Sequence, residues 1–265
     1  ADGIEIQGLR IEDTGGDGIY VGPTWDDRRI GCEDIFVGDC KLDQNHRQGI
    51  SVVSATRATI ANCRITGTKG TAPQAGIDLE PSHPLHHMVG ILVRHCVAEG
   101  NDGSGFVVNL PVLSEESQPV SIRIENCLVR ECVAAGLRVV LLEGHGTGSV
   151  VYANCTVEGT KWPGLSAIWN MATGVNLTFE DCSWSDVAYG DGHFPLSFEL
   201  SSSGEEKSII ELKNARVFNA PVGQDVLEVK GLWPDGLQGN YQVSSPVSEA
   251  ASRLKNLSVS YVGNG

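Results

Sequence analysis

Apolar and polar residues alternate in short runs along most of the chain. In Ile122-Arg123-Ile124 every second side chain is apolar. Two polar residues, Glu125-Asn126, then break the run. A second run starts at Cys127 and includes Val129, and after a turn a third follows at Gly136-Leu137-Arg138-Val139. A period of two is that of a strand with one buried face. No segment carries the 3.6-residue period of an amphipathic helix. The pattern therefore predicts three short strands, a corner between the first two, and a turn before the third.

This unit recurs. Cys40, Cys63, Cys96, Cys127, Cys155 and Cys182 hold one position, at spacings of 23, 33, 31, 28 and 27 residues. Leu9 fills the same slot near the start and Ala215 near the end. In the six Cys copies and the Ala215 copy the preceding residue is Asn or Asp (Asp39, Asn62, Asn126, Asn154, Asp181, Asn214), with His95 the exception. A Gly followed by an apolar residue comes nine positions after the slot in five copies: Gly18-Ile19, Gly49-Ile50, Gly105-Phe106, Gly136-Leu137 and Gly164-Leu165. In the Cys63 copy it comes thirteen positions later, at Gly76-Ile77, which predicts a longer turn over Thr66 to Ala75.

Self-similarity at this period marks a solenoid. Leucine-rich and helical repeats need Leu ladders or a 3.6-residue period, and neither is present. Three strands per repeat predict an all-β parallel β-helix of about eight coils. Successive coils then pair in parallel ~4.8 Å apart, and equivalent residues stack into columns. The Asn/Asp column would satisfy turn backbone groups. The Cys column would point inward as small buried hydrophobes. A disulfide framework is not expected from one thiol per coil, nor a metal site without a CxxC pair. The coils are expected over 1–230, with a terminal coil and cap over 231–265 to cover the last open edge.

Composition agrees. The chain is 41% hydrophobic and carries 32 glycines but only 6% aromatics, which suits many short strands and tight turns. Its formal net charge of −14 disfavours nucleic acid and anionic membranes as partners. An acidic polysaccharide is still compatible, through a local basic patch or a bound cation. No apolar run approaches the ~20 residues of a membrane span. Ala1-Asp2-Gly3-Ile4-Glu5-Ile6 already reads as strand, as in a mature or excised segment, and an extracellular or periplasmic location is expected.

Asn45-His46-Arg47-Gln48-Gly49-Ile50-Ser51-Val52 and Gly70-Thr71-Ala72-Pro73-Gln74-Ala75-Gly76-Ile77-Asp78-Leu79-Glu80-Pro81 resemble the right-handed parallel β-helix superfamily typified by pectate lyases. The resemblance covers about residues 3 to 230. It implies a right-handed solenoid with a cleft over the third strand of each coil, and a carbohydrate substrate. That superfamily includes lyases, hydrolases, epimerases, tailspikes and passive adhesins, so fold alone does not select among them. Gly76-Ile77-Asp78-Leu79-Glu80 is similar to the Tyr-Gly-Phe-Asp-Pro-His strand of mannuronan epimerases. Asp78 matches the Asp, while Ala75 stands for the Tyr and Glu80 for the His.

If Ile19, Ile50, Ile77, Phe106, Leu137 and Leu165 point inward, their successors point out. The outward column is then Tyr20, Ser51, Asp78, Val107, Arg138 and Ser166. A second lies two residues on: Gly22, Val53, Glu80, Asn109, Val140 and Ile168. Asp78 and Glu80 fall on one face, ~6.5–7 Å apart by strand rise. Hydrolysis of a glycosidic bond uses one carboxylic acid to protonate the leaving oxygen and one carboxylate to activate water. These two are the predicted catalytic pair of a glycoside hydrolase.

Tyr20, His46, Arg47, His83, Asn109 and Arg138 are predicted to bind a polysaccharide or oligosaccharide. Trp25, on one of the longer loops, is placed to reach a sugar. Two further readings stay open: a polysaccharide lyase or uronan epimerase using Arg138 or His46, and a non-catalytic carbohydrate-binding solenoid. No cofactor is required, though a Ca²⁺ held by Asp78 is compatible with the second reading, and an oligomer with any of them. His83, His86 and His87 are too irregularly spaced for a metal site. Asp17 and Asn101-Asp102 read as turn formers.

Overall fold

The computed structural model describes residues 2–23, 31–142, 145–190, 192–205, 207–220, 225–231, 236–243 and 256–261. Over these residues the chain is an all-β, right-handed parallel solenoid, and no helix occurs among them. One coil consists of strands Met88–Arg94, Val97–Glu99 and Phe106–Asn109. Each strand pairs in parallel with its counterparts one coil before and after. The third face is an eight-stranded sheet. Its strands are Ile19–Val21, Ile50–Val52, Ile77–Leu79, Phe106–Asn109, Leu137–Leu141, Leu165–Asn170, Leu196–Ser201 and Leu227–Gly231. They mark about seven turns, slightly fewer than the eight coils expected. The first and second faces merge in one sheet because Ile210–Phe218 runs round their shared corner, with a register shift between Leu212 and Ala215. Beyond residue 231, Leu237–Val243 and Leu257–Tyr261 add two rungs to the first face. Much of the predicted cap lies outside the described residues.

The corner column has a backbone cause. Asp39, Asn62, His95, Asn126, Asn154, Asp181 and Asn214 all sit in the left-handed region, with φ between 50° and 56°. Asn and Asp tolerate that region better than other side chains. A second left-handed corner follows the next strand, at Asp13, Gln44, Gly67, Gly100, Glu131, Gly159, Asp186 and Asn219. Two such bends per coil turn the chain between its first three strand directions.

The Gly before each third strand has a different cause, which is crowding. A Cβ on Gly49 would lie 2.2 Å from Ile65 Cγ2 and 2.5 Å from the Gly76 carbonyl oxygen. One on Gly136 would meet Val157 Cγ1 at 2.2 Å and the Gly164 oxygen at 2.8 Å. Each glycine thus lets the next coil's backbone approach and the second-face core residue fit beneath it.

The core is a continuous stack. Ile50, Ile77, Phe106, Leu137 and Leu165 are each 0–1% exposed. All eight cysteines are free and buried. The columnar thiols turn to nearby backbone: Cys63 Sγ donates to the Ala61 carbonyl at 3.4 Å and Cys127 Sγ to that of Glu125 at 3.2 Å. They pack as apolar fillers with a weak donor.

Candidate functional site

The third face carries the site, in the predicted register. Ile50 pairs with Ile77, Ile77 with Phe106, Phe106 with Leu137, and Leu137 with Leu165. The outward column therefore runs Tyr20, Ser51, Asp78, Val107, Arg138, Ser166. Asn109 and Val140 are partners in the next outward column, and Glu80 continues it, its N–H donating to Val52 O at 2.9 Å. A groove of about 450 Å³ lies over these columns. Asp78, Glu80, Asn109, Arg138 and Trp162 line it, with Gly103 and Ala134 on the turn side.

Asp78 faces outward yet is only 1% exposed, because side chains from the neighbouring turns cover it. Gln48, wholly buried, is the nearest cover. The Ala75 N–H can only donate, and it donates to Gln48 Oε1 at 3.1 Å. That bond fixes the amide orientation, so Gln48 Nε2 is the group that donates to Asp78 Oδ2, at 2.5 Å. Oδ2 is thereby an acceptor, and the proton of a neutral Asp78 belongs on Oδ1. Oδ1 is buried and accepts no hydrogen bond from a described donor, and the Glu80 carboxyl lies close enough to interact with Asp78 directly.

Burial away from water, and then the negative charge of Glu80, push the Asp78 pKa up to about 8. The Gln48 hydrogen bond and the Arg47 charge pull the other way, and they are outweighed. Removing a carboxylate from water is the strongest of these effects.

Glu80 is the more open member of the pair. Its Oε1 accepts from Asn109 Nδ2 at 2.7 Å, and its Oε2 lies 3.8 Å from the Arg47 guanidinium. Arg47 also reaches back to Asp17, whose Oδ2 lies 3.2 Å away and accepts from Ser51 Oγ at 2.8 Å. Asp17 is therefore more than a turn former. It anchors the arginine that spans from the first coil to Glu80. Burial, followed by the charge of Asp17, raises the Tyr20 pKa as well. The Tyr20 ring is exposed and its hydroxyl donates to the Pro23 carbonyl at 3.1 Å.

Other predicted residues lie apart from the groove. His46 Nε2 is 3.1 Å from Thr71 Oγ1, and the ring packs against Gly70. His83 accepts from Leu85 N at 3.1 Å and lies against His86, ring centres 5.8 Å apart. Neither lines the groove, and Trp25 lies outside the described residues. Asn101, read as a turn former, does accept from Thr68 N at 2.9 Å. Asp102, read the same way, stands exposed on the groove's rim.

Gln48 and Trp162 were not predicted. Trp162 stands two residues before Gly164, as Arg47 stands two before Gly49, and that shared offset was the available signal.

This is a solenoid with an open groove along one sheet and two neighbouring carboxyls in it. The chain belongs to the right-handed β-helix family: the family described as "Right handed beta helix region" matches residues 1–184. Over 84 residues the chain is 37% identical to the uncharacterized protein YclG of Bacillus subtilis (strain 168), covering 29% of this chain and 14% of that protein. It also superposes on the crystal structure of the Agl-KA catalytic domain, with a TM-score of 0.53 at 8% identity, over 98% of this chain and 47% of the other. At that identity the likeness concerns the fold alone. The chain spans less than half the length of either protein.

Proposed function

We propose that this chain is a carbohydrate-active enzyme, a glycoside hydrolase in which Asp78 is the acid and Glu80 the base. The observation that carries the proposal is the condition of Asp78: a buried carboxyl in the groove column, with its pKa at about 8, beside a second, more accessible carboxyl. A carboxylic acid that keeps its proton near neutrality is what protonating a leaving oxygen requires. Pairs of acidic groups whose environments separate their pKa values commonly divide acid and base roles in this way.

In the proposed reaction a sugar enters along the groove and displaces the Arg47 guanidinium from Glu80. Asp78 Oδ1, unclaimed by protein donors, gives its proton to the glycosidic oxygen. Glu80 takes a proton from a water on the opposite side of the sugar, whose oxygen bonds to the anomeric carbon as that carbon's bond to the leaving oxygen breaks. Asn109 holds Glu80 from the next coil. The Agl-KA neighbour is a catalytic domain, which supports an enzymatic reading of the fold without specifying a reaction.

Release of reducing ends from a panel of polysaccharides, with wild type and Asp78→Asn in parallel, tests the proposal. Wild type is expected to release reducing ends from at least one glycan, and Asp78→Asn to lose the activity ~10²–10⁴-fold. An unsaturated, ultraviolet-absorbing product would identify a lyase instead. Undiminished activity in Asp78→Asn would remove the site.

A further inference from the structure

The groove has a second end with a different lining. Beyond the carboxyl pair the floor rises through Val107 to Arg138, the one cation among the described residues lining the groove. In a chain of net charge −14, many cations facing solvent meet a carboxylate. Arg10, Arg47, Arg57, Arg64, Arg123 and Arg130 all do so. Arg94, Arg138 and Arg216 form no side-chain hydrogen bond or ion pair with a described residue, and of these three only Arg138 lines the groove. Its flanks are apolar, with Val107 beside it on the neighbouring strand and Val140 two residues on, 5% and 7% exposed.

One coil further on, Trp162 stands 43% exposed at the groove's edge, its ring 5.5 Å from that of His193. The turn column between the two ends is small. It runs Arg47, Gln74, Gly103, Ala134 and Trp162, so bulky side chains bound a stretch of low relief. The low relief is enforced at Gly103, where a Cβ would lie 2.0 Å from the Pro73 carbonyl oxygen.

An unpaired guanidinium between apolar walls, next to an open indole, is a receptor for an oxyanion carried on a ring with an apolar face. We infer that Arg138 and Trp162 form a subsite for an anionic sugar, one bearing a carboxylate or a sulfate ester. The glycan then runs parallel to the solenoid axis, with its charged residue away from the cleaved bond. Asp78 and Arg138 are two coils apart, ~9–10 Å by strand spacing. That exceeds one pyranose ring, so the anion belongs to a sugar beyond the one being cleaved. The subsite rests on the carbohydrate reading above, but does not require that Asp78 and Glu80 cleave.

Binding and cleavage are separable in the test. The probes are oligogalacturonate, oligomannuronate and oligoglucuronate with their carboxyl-reduced counterparts, and sulfated carrageenan oligosaccharides with their desulfated counterparts. Binding is followed by calorimetry and tryptophan emission, and cleavage by reducing ends. Wild type is expected to bind at least one charged chain more tightly than its neutral counterpart. Arg138→Gln should weaken that chain ~10- to 100-fold, the range for charge-assisted hydrogen bonds, and leave the neutral one unchanged. Trp162→Ala should weaken both.

Which pair responds tells carboxylate from sulfate. Equal binding of charged and neutral chains, unchanged binding by Arg138→Gln, or no binding of any probe would each overturn the subsite. Charge-selective binding without cleavage would leave the subsite standing and remove the hydrolase. Cleavage indifferent to Arg138 would do the reverse.

Discussion

Two ends of the same sheet show how a repeated scaffold becomes a site. In Leu196–Ser201 inward residues are buried while the outward ones, Ser197, Glu199 and Ser201, are half-buried or exposed. In Ile50–Val52 and Ile77–Leu79 every residue is buried, including the outward Ser51 and Asp78 at 3% and 1% exposure. Strand register is continuous from one end to the other. What differs is the turn leading into each strand. At the first end Asp17, Arg47 and Gln48 lean over the sheet and bind to its outward groups. A carboxyl placed under that cover loses water and gains a neighbour's charge, so its acidity changes without any change in backbone.

The largest test of this contrast is catalytic. Asp78→Asn and Glu80→Gln should each lower hydrolysis ~10²–10⁴-fold, while Glu199→Gln, at the open end, should leave it unchanged. Equal losses at both ends, measured as reducing-end release, would erase the distinction. The scaffold, by contrast, should be equally intolerant along its length. Gly136→Val forces a Cβ to within 2.2 Å of Val157, and Gly164→Val to within 2.4 Å of the Trp184 ring. Each should lower unfolding free energy by ~1–3 kcal/mol, the range for overpacking, as read in denaturant melts.

The covered carboxyl should also appear in stability. Folded Asp78 keeps its proton up to about pH 8, whereas the unfolded chain releases it near pH ~4. Native structure therefore binds one more proton across that window. Its stability is fully expressed below pH ~4 and declines as pH rises towards 8. Asp78→Asn removes this decline, so it should gain on wild type between melts at pH 5 and pH 9. The smallest effect is expected at Gln48. Gln48→Leu deletes a donor that favours the ionised acid, so the alkaline limb of activity should move to higher pH, and the Ala75 N–H is left buried without its partner. An unmoved limb would show that the amide does not govern the proton.

Much of this was legible in the chain, because the scaffold writes itself as a period. The Cys slot and the Gly-apolar pair fixed which residues would be vertical neighbours, and so placed Asp78, Glu80, Asn109 and Arg138 on one groove. The turn residues were less legible. Asp17 has the sequence setting of a turn former, and only its cross-coil bonds to Ser51 and Arg47 reveal another role. Gln48 looks like any polar residue before a glycine until its two bonds are seen. His46 and His83 failed as groove residues for the converse reason. Each is held by groups within its own or a neighbouring turn. Periodicity reports which face a strand residue takes, and it is silent about how a turn side chain bends.

The thiol column has a further consequence. Six cysteines share one slot, one to a coil, and none is bonded to another. While the stack is closed they are shielded from oxidants. Once melted in air, the same chain carries eight mutually reactive sulfurs with no native pairing to return to. Heat damage should then be permanent without a reductant and reversible with one, so the molecule's durability becomes a question of how slowly it opens rather than how deep its free-energy minimum lies.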